Sequence, residues 1–156
     1  MARLEQGPLK VRFYQLATDT RERALLKIVH KVYGLKMRCC LVAESAEQAK
    51  WVDDHLWRYP PDSFLPHGMA HEEMATEQPI LISDQPQDSN GATVVVMLGS
   101  QPLEKLEQFD MLVDFVPSDD ESRRGSRLRY KHYLDAGCTM EYWIQDAKGG
   151  WAKHGD

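Results

Sequence analysis

The sequence predicts a three-layer α/β fold, with a mostly parallel or mixed sheet and helices on both of its faces. Segments with strand character alternate with segments whose apolar residues recur at helical spacing. Such alternation favours parallel strands joined by helical crossovers, because each crossover helix covers the sheet that its strands build. The length of 156 residues and the mass of 17.9 kDa predict a single domain over residues 1–156.

The first strand and helix are predicted near the N-terminus. VRFYQL (11–16) alternates and is rich in aromatic and β-branched residues, which indicates a strand. Asp-Thr-Arg-Glu at 19–22 resembles a capping box, and the apolar stripe that follows ends at Gly34. The stripe consists of Leu25, Leu26, Ile28, Val29 and Val32.

The same pattern repeats in the next segment. RCCLVA (38–43) has the apolar character of a buried strand. Ser-Ala-Glu-Gln at 45–48 resembles a second capping box and opens a helix. The apolar positions of this helix are Ala49, Val52 and Leu56. Pro60 is predicted to end the helix, because proline lacks the backbone N–H that a helix interior needs.

The second half of the chain continues the alternation. Three strands and one short helical turn are predicted: PILIS (79–83), TVVVMLG (93–99), MLVDFVP (111–117) and the turn LEKLEQF (103–109). Ser-Asp-Asp-Glu at 118–121 is a third capping signal, for a helix that runs to about Gly137. EYWIQ (141–145) is predicted to be an edge strand, and residues 68–78 and 84–91 are predicted to be polar loops.

Composition argues against several classes of protein. The net charge of −5 disfavours a protein that coats nucleic acid over its whole surface. No apolar run approaches the roughly 20 residues that cross a bilayer, and the N-terminus has no apolar signal core, so no membrane partner is expected. Adjacent Cys39 and Cys40 would point to opposite faces of a strand and resist bridging. Free thiols predict a cytoplasmic location.

No motif for catalysis or cofactor binding stands out. The loop after the first strand has no glycine, and neither GxGxxG nor GxxxxGK[ST] occurs, so no nucleotide cofactor is predicted. His67 and His71 have the spacing of metal ligands on a helix, but Pro66 and Gly68 indicate a loop, so no metal is predicted either. Asp114 follows the pattern of a strand-end carboxylate and supports only a minor alternative, a small nucleotide-modifying enzyme or nuclease that also uses the His67 region.

A cationic segment at residues 123–134 contrasts with the acidic chain. It carries five arginines and lysines and no acid. At helical spacing, Arg127, Tyr130, Lys131 and Leu134 share one face. That face could hold the C-terminal carboxylate of a peptide beside an apolar group. It could also contact the phosphates and bases of single-stranded nucleic acid, or simply be a solvated amphipathic helix.

A second candidate surface surrounds a proline-rich turn. Trp57 lies off the apolar stripe of its helix, and Tyr59, Phe64, Leu65 and Pro66 follow it in a segment stiffened by prolines. Aromatic side chains displayed on a pre-ordered segment are typical anchors of a protein interface. The alternative is that the segment folds back and buries these side chains against the core.

With these blocks in view, the sequence resembles the chi subunits of bacterial DNA polymerase III holoenzyme. The resemblance rests on FYQL (13–16), HLWRYPPDSFLPHG (55–68), VDFVP (113–117) and the R-x-x-Y-K-x-Y-x-x-x-G run from Arg127 to Gly137. It implies a Rossmann-like fold without a working nucleotide site and a non-catalytic accessory subunit of the clamp-loader assembly. Residues 1–10 precede the usual first strand and form an N-terminal extension. The loop at 69–78 and the region after Gly137 also depart from the family pattern.

The resemblance further implies two protein partners on separate surfaces. One partner is the psi subunit, and the matching positions are Trp57, Phe64 and Pro66. The other partner is the acidic C-terminal tail of single-stranded DNA-binding protein, which ends in proline and phenylalanine. The positions that match this tail-binding pocket are Val116, Arg127, Tyr130, Lys131 and Gly137. Nucleic acid is then contacted only indirectly, and a module that binds single strands directly remains the alternative.

Overall fold

One sheet of eight strands lies at the centre of the structure, a computed structural model that describes residues 8–58 and 65–154. The strands are β1 (Lys10–Gln15), β2 (Cys39–Val42), β3 (His67–Met69), β4 (Ile80–Ser83), β5 (Val94–Met97), β6 (Met111–Val116), β7 (Thr139–Gln145) and β8 (Trp151–Lys153). The helices are α1 (Arg21–Gly34), α2 (Ala46–Leu56) and α3 (Asp120–Asp135), and short 3₁₀ turns span Ala75–Glu77 and Leu106–Gln108.

The sheet is parallel except at one end. Its spatial order is β3-β4-β2-β5-β6-β1-β7-β8, and only β7 and β8 pair in the antiparallel sense. The α/β class, the mostly parallel sheet and the strands predicted from alternating and apolar segments are therefore confirmed. This arrangement is consistent with the Rossmann-like fold that the family resemblance implied.

Helices cover both faces of the sheet, which confirms the three-layer prediction. The apolar stripes of α1 and α2 share one core with Tyr14. Tyr133 of α3 shares the opposite core with Phe13, the neighbour of Tyr14 on β1. Successive strand residues point to opposite faces, so β1 contributes to both cores. The central strands β2, β4 and β5 are buried at every residue, which explains their continuous apolar sequences.

Two of the three predicted helix starts are shifted by one residue. Thr20, and not Asp19, caps α1 by accepting a hydrogen bond from the Arg23 backbone N–H at 3.2 Å. The Asp19 carboxylate instead accepts a hydrogen bond from Lys27 Nζ at 2.8 Å. Asp119, rather than Ser118, caps α3 through the Ser122 backbone N–H.

The remaining cap and helix ends follow local chemistry. Ser45 caps α2 as predicted, because its hydroxyl accepts a hydrogen bond from the Gln48 backbone N–H at 3.1 Å. This helix ends at Leu56, before the predicted stop at Pro60, which lies outside the described residues. Helix α3 ends at Asp135, and Gly137 follows with a φ of +88°, the left-handed conformation that glycine adopts most readily after a helix.

Both edges of the sheet differ from the prediction. The segment 68–78 was expected to be a loop, yet it begins within β3, which pairs with β4. Residues 141–145 were expected to form an edge strand, but β8 pairs along the outer side of β7. A tight turn connects β7 to β8, and in it Asp146 Oδ1 accepts hydrogen bonds from the backbone N–H groups of Lys148 and Gly150. No helix within the described ranges has both the length and the apolar character to cross a membrane.

Candidate functional site

A cavity of about 230 Å³ opens between α3 and the sheet, at the carboxyl ends of β1 and β6. The sheet supplies its floor and the helix supplies one wall. The floor residues are Phe13, Gln15, Val116 and Tyr142, and the wall residues are Arg123, Ser126, Arg127 and Tyr130. The cavity therefore combines aromatic rings with two guanidinium groups.

Strand register brings the floor residues together. Phe13 and Gln15 lie two positions apart on β1 and so share one face of the sheet. Phe13 pairs with Tyr142 of β7, and Gln15 pairs with Val116 of β6. The parallel pairing of three strands thus places these four side chains side by side, although the two residues of β1 are more than a hundred residues from Val116 and Tyr142 in the chain.

The wall residues occur at helical spacing along α3. Arg123, Ser126, Arg127 and Tyr130 are separated by three, one and three residues, which places them on one side of the helix. The Tyr130 ring packs against the floor, with ring centroids 5.2 Å from Phe13 and 6.1 Å from Tyr142. These tilted and edge-to-face aromatic contacts hold the ring in place, so the apolar part of the cavity is formed before any ligand binds.

The polar groups of the cavity differ in how far the protein already engages them. Arg123 Nε donates a hydrogen bond to the Pro117 carbonyl at 3.0 Å, and Ser126 Oγ donates to the Arg123 carbonyl at 2.8 Å. The side chain of the exposed Arg127 makes no hydrogen bond or ion pair with any other part of the chain that the structure describes. Its guanidinium therefore remains able to bind an incoming anion.

The cationic wall also affects the tyrosine of the floor. Tyr142 donates a hydrogen bond from its hydroxyl to Gln15 Oε1 at 2.7 Å. Burial raises the pKa of Tyr142 above its ordinary value, while the charges of Arg123 and Arg127 act in the opposite direction. Both guanidinium groups therefore lie close enough to the phenol oxygen to influence it electrostatically.

The second candidate surface lies near β3, at the far edge of the sheet. Trp57 follows α2 with 52% of its surface exposed, and its ring centroid lies 4.2 Å from that of His67. His67 is buried and held in place, with Nε2 3.0 Å from Asp53 Oδ1 and Nδ1 2.7 Å from the Leu65 carbonyl oxygen. A rigid support therefore presents the Trp57 ring at the protein surface.

The comparisons with known proteins decide the family. A family model described as "DNA polymerase III chi subunit, HolC" matches residues 9–141. The chain belongs to the DNA polymerase III chi subunit family. Three curated relatives named as this subunit support the assignment. The Escherichia coli K12 protein is 30% identical, and the match covers 82% of this chain and 92% of the relative. The Haemophilus influenzae Rd protein is 27% identical over 79% of this chain and 86% of its own length, and the Pseudomonas aeruginosa PAO1 protein is 19% identical over 85% of this chain and 94% of its own length.

A solved structure outside the family shares only the fold with this chi family member. A variant of the C-terminal domain of Dbp5 from Saccharomyces cerevisiae, bound to a variant of Gle1 and to IP6, superposes with a TM-score of 0.53. The sequences are 12% identical, and the match covers 86% of this chain and 89% of the other. At this level of identity the likeness shows a common α/β architecture alone.

The chi assignment confirms a replication role within DNA polymerase III.

The five tail-site positions that the chi resemblance implied fall into two groups. Val116, Arg127 and Tyr130 line the cavity together. Lys131 lies next to Tyr130 on α3, outside the lining, and its Nζ donates a hydrogen bond to Asp135 Oδ2 at 2.8 Å. Gly137 is also outside the lining and terminates α3 through its positive φ.

The sequence interpretation did not identify five residues of the cavity. They are Phe13, Gln15, Arg123, Ser126 and Tyr142. Arg123 precedes Arg127 by four residues, so helical spacing could have indicated it. Phe13 and Gln15 alternate on a predicted strand, but their contact with Tyr142 depends on strand order. No local sequence signal specifies that order.

The psi-site positions are only partly described. Trp57 is exposed, whereas Pro66 is partly buried and its neighbour Leu65 is 1% exposed. Leu65 therefore belongs to the core and not to a displayed surface. Phe64 and Tyr59 lie outside the described residues.

The structure distinguishes Arg129 from the other cations of its segment and changes the interpretation of Asp114. Arg129 was counted among the five cations of segment 123–134, but it is 5% exposed and points into the protein. Its partner is Asp114, the strand-end carboxylate that supported the enzyme alternative. Among the described residues no group of three or more histidine, cysteine, aspartate or glutamate side chains has the arrangement of a metal site.

Proposed function

We propose that this chi family protein is a non-catalytic connector in the cytoplasm, which joins the clamp loader to single-stranded DNA-binding protein. In this proposal the cavity beneath α3 captures the acidic C-terminal tail of the DNA-binding protein. The surface around Trp57 docks the psi subunit. Nucleic acid is then reached only through the protein that coats it.

The observation that supports tail capture is the pairing of apolar and cationic walls in one preformed cavity. The rings of Phe13, Tyr130 and Tyr142 offer an apolar recess for a terminal phenylalanine. Arg127 offers a planar guanidinium that can bind a carboxylate with two parallel hydrogen bonds. Lys131, four positions further along the helix, lies where it could meet acidic residues that precede the terminus.

The psi proposal is supported by the exposure and support of Trp57. An indole that is half exposed, yet backed by a buried and hydrogen-bonded His67, loses little conformational freedom when a partner covers it. Tryptophan is also among the residues that contribute most to protein interfaces. The family resemblance supplies the identity of the partner.

Three observations disfavour the alternatives. The cavity has room for a side chain and a terminal group, whereas an open groove would be expected for a run of stacked bases. The net charge of −5 also opposes sequence-independent binding of nucleic acid. Asp114 is occupied by Arg129 and is buried, which leaves the enzyme alternative without its proposed carboxylate.

A pull-down with intact and truncated single-stranded DNA-binding protein tests the central claim. The intact protein should bind, and a version lacking its last few residues should not. Binding of the truncated version at the intact level would refute tail capture. Tight binding of this chain to a naked single-stranded oligonucleotide, without any partner protein, would instead support the direct nucleic-acid-binding module.

A further inference from the structure

The floor of the cavity contains an amide group that the proposed tail-binding residues do not include. Gln15 ends β1, next to Val116, and its side-chain oxygen accepts the hydrogen bond of the Tyr142 hydroxyl at 2.7 Å. Its side-chain nitrogen, by contrast, has no partner within the part of the chain that the structure describes. An amide held by its oxygen presents its N–H donors in a defined direction.

The surroundings of this amide are cationic. Arg123 and Arg127 line the same cavity, and both influence the pKa of Tyr142, the residue bonded to Gln15. No side-chain carboxylate of the described residues lines the cavity. Donor groups therefore predominate at this end, and an anionic acceptor is the ligand group that satisfies them.

We propose that Gln15, oriented by Tyr142, is a specificity-determining residue that donates a hydrogen bond to the terminal carboxylate of the captured peptide. This inference rests on the proposed tail-binding function and extends it. Arginine alone would not distinguish a terminal carboxylate from an acidic side chain, because its two parallel hydrogen bonds fit either carboxylate. The Gln15 amide is fixed in the floor of the cavity, so it can donate only to an anionic group that enters the cavity. The terminal carboxylate would enter, whereas an acidic side chain within the peptide would remain outside.

A binding cycle with two peptides and two proteins tests the inference. The peptides are an acidic peptide ending in Pro-Phe with a free carboxylate and the same peptide with a C-terminal amide. The proteins are wild type and Gln15→Leu. We expect Gln15→Leu to lower the affinity for the free-acid peptide about tenfold, the loss typical of one hydrogen bond to a charged group. The affinity for the amidated peptide should change little.

Three controls separate specificity from damage to the fold. Gln101→Leu removes an exposed glutamine outside the cavity and should leave both affinities unchanged. Tyr142→Phe removes the hydroxyl that orients Gln15 and should lower the affinity for the free-acid peptide by a smaller factor, about threefold. Its effect on the affinity for the amidated peptide should again be small. Thermal unfolding of each variant checks that the protein remains folded at the temperature of the titration.

The outcomes distinguish this inference from the proposed function. If Gln15→Leu lowers the affinity for both peptides by the same factor, or for neither, the Gln15 side chain does not recognise the terminal carboxylate. The inference is then wrong, while tail capture stands. If the wild-type protein binds neither peptide, tail capture fails and the role of Gln15 fails with it.

Discussion

Arg129 and Asp114 form a two-pronged ion pair between α3 and β6, inside the protein. Arg129 Nε lies 2.8 Å from Asp114 Oδ2, and Nη2 lies 3.1 Å from Oδ1. The guanidinium also donates hydrogen bonds to the carbonyls of Ser100 and Phe115. The same helix thus directs Arg129 inward to hold the sheet and Arg127 outward to the cavity.

Replacing Arg129 with methionine should destabilise the protein severely. The change leaves the Asp114 carboxylate buried without its partner, which typically costs about 3 to 5 kcal/mol in the free energy of unfolding. Urea denaturation measures this loss. The matched control is Lys50→Ala, which breaks the exposed pair with Asp54 and should cost less than about 1 kcal/mol. Similar losses in the two variants would show that the buried pair does not stabilise α3.

Replacing Arg127 with alanine should weaken binding of the acidic tail peptide. We expect a loss of about 1.5 to 3 kcal/mol, the range for a hydrogen bond to a charged group. The affinity of the wild type should also fall as salt rises, because exposed charges are screened over about 8 to 10 Å. Calorimetric titration at two salt concentrations measures both effects. Arg124→Ala, on the same helix but outside the cavity lining, should bind like the wild type.

Replacing Trp57 with alanine should impair psi binding while the tail peptide binds normally. The half-exposed indole is the proposed anchor of the psi surface, and its removal should cost more than about 1 kcal/mol of psi affinity. Leu35→Ala removes another exposed apolar side chain, at the end of α1, and serves as the control. Co-purification with psi and a peptide titration provide the two readouts. Loss of both partners in Trp57→Ala would contradict the model of two separate surfaces.

Replacing Gly137 with alanine should lower stability through the backbone. Its φ of +88° is unfavourable for any residue with a Cβ atom, at a cost of about 1 to 2 kcal/mol, even though a Cβ there would meet no neighbouring atom. Gly34→Ala provides the comparison, because its Cβ would also meet nothing and its φ is not positive. That variant should be neutral or slightly stabilising. Chemical denaturation of the pair separates conformational strain from steric crowding.

Acid should destabilise the junction between α1 and β7 through Asp19. Burial raises the pKa of Asp19, but hydrogen bonds from Lys27 and Gln145 outweigh burial and hold it below its ordinary value. A carboxyl group whose pKa is lower in the folded state stabilises the protein above the unfolded pKa of about 3.9 and loses that contribution as pH falls further. Asp19→Asn should therefore show a smaller fall in stability below about pH 4 than the wild type. Parallel curves for the two proteins would contradict this assignment.

The elements that could be predicted from sequence are those with a strong local pattern. The buried strands and the apolar stripes of the helices follow directly from periodicity, and Ser45 was identified correctly as a helix cap. Asp19 and Ser118 were not caps, because one-residue shifts depend on competing partners such as Lys27. β3 has only three residues, and β8 depends on a turn near Gly149, so neither carries a pattern long enough to recognise.

The cavity was only half predictable for a related reason. Arg127 and Tyr130 lie on one helix, and their spacing shows that they share a face. Gln15 and Tyr142 meet only because β1 is inserted between β6 and β7 in the sheet. Arg129 shows the converse limit, since a cation in a cationic segment cannot be distinguished from its solvated neighbours until the buried partner is known.

The width of the sheet has a consequence for assembly. Five strand spacings separate β3, near Trp57, from β1 beneath the cavity, which corresponds to about 24 Å at about 4.8 Å per spacing. Partners bound at these two sites would share no contact residues on this chain. Each should therefore bind with the same dissociation constant whether or not the other is present. A ternary complex would then form in either order of addition, and its abundance would follow from the two separate equilibria alone.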